Sequence, residues 1–71
     1  MAADFEVKKD SKNEWYWTLQ ADNNKTIARS SESYVTRNAC LHSIRLVKEL
    51  APGCPVYDMT TSPIHRVTDL P

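Results

Sequence analysis

The stretch Glu14-Trp15-Tyr16-Trp17-Thr18-Leu19-Gln20-Ala21 restricts the fold more than any other part of the chain. Trp15, Trp17, Leu19 and Ala21 fall at every second position, with Tyr16, Thr18 and Gln20 between them. Side chains alternate across a strand, so this spacing predicts a β-strand with one apolar face. Phe5-Glu6-Val7-Lys8 has the same period and predicts an earlier strand, after a short leader over residues 1–4. Asp10-Ser11-Lys12-Asn13 is a polar turn cluster between the two. Asp22-Asn23-Asn24-Lys25 predicts a second hairpin turn, because Asn accepts a positive φ better than any residue except Gly. Thr26 to Arg29 reads as a third strand, and its weak alternation leaves open whether Ile27 or Ala28 points inward. Ser30 to Val35 is a polar connection carrying one aromatic, Tyr34.

At Thr36 the period changes. Its hydroxyl is suited to accept from an otherwise orphan amide, so Thr36 is the expected N-cap of a helix running to about Leu50. Cys40, Ile44, Val47 and Ala51 share one face of that helix, with Leu50 beside them. Asn38, His42, Arg45 and Glu49 share the opposite face, and Leu41 and Leu46 lie on the flanks. Pro52 and Gly53 end the helix. Val56-Tyr57 predicts a short fourth strand, and Pro55 places it at an edge or makes it the strand's first residue. Residues 60–71, with their Thr, Ser and Pro, read as a flexible tail beyond a single domain over 1–59.

The order is thus β-β-β-α-β, an α+β class with an antiparallel sheet and one helix on one face. The expected inward set is Phe5, Val7, Trp15, Trp17, Leu19, one of Ile27 and Ala28, Cys40, Ile44, Val47, Leu50 and Ala51. That is a single thin layer. Chains below roughly 70–80 residues rarely hide enough apolar surface without a disulfide framework, a metal or a partner. This chain has 71 residues and two cysteines. A second copy is the remaining device, joining the two sheets and exchanging the last strands.

Several short pieces also form a recognisable combination: Phe5-Glu6-Val7, Lys9-Asp10, Trp15-Tyr16-Trp17-Thr18-Leu19, Ala21, Ile27-Ala28, Ser30, Glu32, Tyr34, and Ile44 followed by Val47-Lys48. Together, over about residues 5–51, they resemble the YegP-like family of small bacterial and archaeal proteins, a domain of unknown function. The resemblance implies a β3-α-β unit that occurs as tandem repeats or as single copies that dimerise, with a continuous sheet and swapped C-terminal strands. One unit fits in this chain, which implies the homodimeric form. Leu41, Leu46, Val56 and Tyr57 are the candidate dimer contacts. The chain departs from the family pattern at Asn23-Asn24, where Asn-Gly is usual, and at Glu32-Ser33-Tyr34, where Glu-Gly-Tyr is usual. Tyr16 stands where a basic residue is common, and Leu50-Ala51 where Asn-Ala is common.

No constellation points to catalysis, and the reading is non-enzymatic. Cys40 lies on the buried helix face and Cys54 follows the helix stop, so both read as free thiols in a reducing cytoplasm. His42 and His65 lack the close spacing of a metal set, and no metal or cofactor is expected. One glycine, Gly53, cannot supply a phosphate-cradling loop. No apolar run exceeds three residues, so no membrane span is expected.

Nine basic and nine acidic side chains balance, which argues against a strongly basic nucleic-acid binder. The charges are nevertheless unevenly spread. Residues 25–48 carry five basic side chains against Glu32, whereas residues 1–24 and 49–71 are each net −2. Arg37, Arg45 and Lys48 form a modest basic strip along the helix, and an outward Tyr16 offers a stacking ring. The sequence therefore predicts a small homodimeric binding or interaction module of unknown ligand. Nucleic-acid binding through Arg37, Arg45, Lys48 and Tyr16 is the alternative.

Overall fold

The computed structural model describes residues 3–71, so Met1 and Ala2 of the expected leader lie outside the described residues. Three strands, β1 (Asp4–Lys9), β2 (Trp15–Gln20) and β3 (Thr26–Arg29), form an antiparallel sheet in the order β1-β2-β3. Phe5 stands opposite Leu19 and Val7 opposite Trp17, so the apolar positions of β1 and β2 share a face. Leu19 pairs with Ala28, which answers the open choice in β3: Ala28 is half-buried and Ile27 is exposed. A register shift at Leu19/Gln20 precedes the pairing of Gln20 with Thr26.

Both turns are built on asparagine. Asn13 and Asn24 each take φ 63°, the left-handed region usually left to glycine. In the first turn Asp10 closes the loop from several sides. Its Oδ1 accepts from the Lys12 and Glu14 amides at 2.9 and 3.0 Å, and its Oδ2 accepts from the Ser33 hydroxyl at 2.8 Å. The connection after β3 is tied down as well. Ser30 donates its amide to the Trp17 carbonyl at 3.0 Å, and its hydroxyl accepts from the Trp17 amide at 3.3 Å. Tyr34 and Trp15 exchange both backbone hydrogen bonds, at 2.6 and 2.8 Å. The start of β2, beyond the end of β3, is thereby paired.

Helix α1 (Arg37–Leu50) begins where the sequence places it, with Thr36 Oγ1 accepting from the Ala39 amide at 3.1 Å. A single 3-10 turn, Ala51–Gly53, follows with Pro52 in its first turn. The helix packs over β2 and β1. Cys40 is fully buried against the sheet, with Ile44 and Val47 half-buried along the same face. The Trp17 indole N–H donates to Ser43 Oγ at 2.9 Å, and Phe5 meets the Trp17 ring edge-on at 5.2 Å.

The core is thinner than the inward set expected from the sequence. Among the described apolar residues only Trp17 and Cys40 are buried. Val7, Leu50 and Ala51, expected inside, are exposed. The helix spans about 21 Å at 1.5 Å per residue, and it has only the β1-β2 part of a three-stranded sheet beneath it. Its last turn and the edge at Val7 lie outside the covered zone.

Strand β4 (Val56–Asp58) forms as expected, but it pairs with a fifth strand, β5 (His65–Val67), inside the segment read as a flexible tail. The Thr, Ser and Pro residues that suggested a tail make the reverse turn instead. Asp58 Oδ1 accepts from the Thr60 amide at 2.9 Å, and the Thr61 hydroxyl donates to the Pro63 carbonyl at 2.9 Å. This two-stranded sheet is separate from the first and, among the described residues, touches no other strand or helix.

Candidate functional site

Three surfaces carry the residues singled out from the sequence. The first is the outward side of α1. Arg37, Arg45 and Lys48 are all exposed there, as predicted. Arg45 Nε lies 3.2 Å from Glu49 Oε2 one turn on, which offsets part of the strip's positive charge. Asn38, Leu41, His42 and Arg45 line an open depression of about 310 Å³. Leu41 is half-buried in it, and Leu46 is exposed.

The second surface is the sheet face turned away from the helix. Tyr16 alternates with Trp17 and so lies on this side, apart from the helix strip. The Arg29 guanidinium sits 4.4 Å from the Tyr16 ring centroid, a cation–π contact that occupies the stacking ring. Thr18 and Gln20 on this face are as buried as the apolar side of β2, because strands flank them on both sides. Gln20 accepts from the Thr26 hydroxyl at 2.7 Å and donates to the Asn24 carbonyl at 3.1 Å. Thr18 Oγ1 has no hydrogen-bond partner among the described residues.

The third surface is the β4-β5 hairpin. Val56 and Tyr57 are 40% and 54% exposed, and Met59, Ile64 and Leu70 around them are exposed as well. The outer edges of β1 and β3 carry no strand among the described residues. An open sheet edge offers a row of backbone donors and acceptors to an incoming strand. The structure thus places Leu41 and Leu46 on the helix, and Val56 and Tyr57 on an arm away from it.

Two carboxyls are held by local hydrogen bonds. The Glu14 amide and the Ser33 hydroxyl hold the Asp10 carboxyl below its ordinary range. The Thr60 hydroxyl and amide do the same for Asp58. Burial pushes the Cys40 thiol up, which disfavours the nucleophilic thiolate. Cys40 and Cys54 are both free. Among the described residues no group of three or more His, Cys, Asp or Glu gathers as a metal set, and no helix is long and apolar enough to cross a membrane.

Two contacts had no signal in the sequence. Ser43, one of several polar residues of α1, receives the Trp17 indole N–H. Arg29 reaches Tyr16 only because β3 runs beside β2 in this register.

The sequence pattern of a domain of unknown function, DUF1508, matches residues 10–58. The chain belongs to the DUF1508 family. The YegP-like resemblance agrees with that membership. A UPF0339 protein of Neisseria meningitidis serogroup B is 36% identical over 55 residues, which span 78% of this chain and 96% of that protein. A UPF0339 protein of Treponema denticola is 36% identical over 59 residues, 83% of this chain and 100% of that protein. The solution structure of a protein from Haloferax volcanii superposes with a TM-score of 0.74 at 34% identity, covering 79% of this chain and 93% of its own. The DUF1508 match ends at Asp58, the last residue of β4, so β5 lies outside it.

Proposed function

We propose that this DUF1508 protein is a small non-enzymatic interaction module that works as a homodimer, each chain lending its C-terminal arm to the sheet of the other. The observation that carries this reading is the detached hairpin. An isolated two-stranded hairpin is at best marginally stable in water, and among the described residues β4-β5 rests on no other element of its own chain. A receiving site of matching kind exists on the same molecule. The outer edge of β1 is open, and Val7 on its helix-facing side is 37% exposed. A partner's β4 laid along β1 continues the sheet and covers Val7 with Val56 or Tyr57. The radius of gyration, 14.9 Å, supports the same reading, since a compact chain of this length has about 11 Å. Leu41 and Leu46 then serve as helix contacts between the two copies. The free cysteines suit a reducing, cytoplasmic setting.

Light scattering on the eluting protein tests the dimer. The expected mass is twice the 8.1 kDa chain, and Leu41→Glu/Leu46→Glu shifts it toward one chain. A wild-type mass of one chain across the micromolar range ends the proposal. An unchanged dimer in the double variant removes those two leucines from the interface.

A further inference from the structure

We infer that β5 is an edge cap: in the exchanged arrangement proposed above, on which this inference rests, it closes the outer side of β4 to pairing by further copies, leaving the short β3 as the other edge of the sheet. A strand has two hydrogen-bonding edges. If one edge of β4 pairs with the partner's β1, the other faces outward, and in this chain β5 already occupies an edge along the full length Val56–Asp58. The sheet of each half then runs β3-β2-β1 and continues with β4 and β5 of the partner.

Within β4, Val56-Tyr57 is an exposed apolar pair between Pro55 and Asp58, and the backbone edge of the strand is one that a further strand can pair with. His65-Arg66-Val67 presents a charge at its middle position, with Pro63 two residues before it and Pro71 four residues after it. Proline has no amide to donate, and an edge charge must be desolvated before another strand can pair, so both devices blunt an edge.

The test compares the full chain with a form ending at Met59 and with full-length Arg66→Pro, which disrupts β5 and leaves residues 1–59 intact. Near-ultraviolet circular dichroism of Trp15 and Trp17 reports whether each variant retains the main sheet. Light scattering over a concentration series reports mass. The expected result is a full chain that stays at two copies throughout, while the variants that keep the tryptophan signal form species heavier than a dimer that grow with concentration. If such variants stay at two copies like the full chain, the edge cap is wrong and the dimer stands. If the full chain is a single copy, both the dimer and the cap fall. If the shortened form loses its tryptophan signal, Arg66→Pro alone decides between the first two results.

Discussion

At the residue scale the central strand is under tension between its two faces. Trp17 is satisfied on the helix side, where Ser43 accepts its indole N–H. Thr18, its neighbour on the other side, is 5% exposed and its hydroxyl is unpartnered. A buried unmet hydroxyl costs on the order of 1–3 kcal/mol, and valine has nearly the same shape and favours strands. Thr18→Val is therefore expected to stabilise the protein by about 1 kcal/mol, read as a rise in the urea midpoint at unchanged slope. Asp10 behaves differently because its value lies in the ionised form. Its carboxylate accepts from two amides and the Ser33 hydroxyl, and it is held below the ordinary 3.8. A group lowered in this way stabilises the folded state fully above about pH 4, and the contribution disappears as pH falls through the lowered value. Stability curves of the wild type and Asp10→Asn, measured from pH 6 down to pH 2, are expected to differ most at the upper end and to converge in acid. A constant gap down to pH 2 would show that the Asp10 charge is not what matters.

At the element scale the helix is the part that the sequence described most closely. Thr36 caps it, Cys40, Ile44 and Val47 face the sheet, and Pro52-Gly53 ends it. Thr36→Ala is expected to cost about 1 kcal/mol in the same urea assay, since the Ala39 amide loses its acceptor. The first two strands and both turns were legible because alternation and polar turn clusters are local signals, whereas the weak alternation of β3 left its inward residue open. What could not be read was non-local. Leu50 belongs to the helical stripe by spacing, but only the placement of the sheet decides whether anything lies beneath it. Polar residues of β2 look outward by alternation, yet flanking strands bury Thr18 and Gln20. The β5 strand was hidden for a third reason. Its three residues are too few for a period to show, and the Thr, Ser and Pro of its turn resemble the composition of a tail. Of the candidate site residues, the helix strip lies at the surface, Val56 and Tyr57 are exposed on a separate arm, and Tyr16 belongs to a different face from Arg37, Arg45 and Lys48.

At the scale of the whole molecule, the proposed exchange of arms couples folding to association. Folding that includes a partner is favoured by mass action, so the melting temperature is expected to rise with protein concentration. A melting point constant over a hundredfold dilution series would contradict the exchange. The thin interior also has a calorimetric consequence. The heat-capacity increment of melting follows the apolar surface newly wetted, about 12–15 cal/mol/K per residue in ordinary domains. With Trp17 and Cys40 its only buried apolar side chains among the described residues, a solitary chain should fall well short of that increment. A scan that reaches the ordinary figure would locate the missing dry surface between molecules.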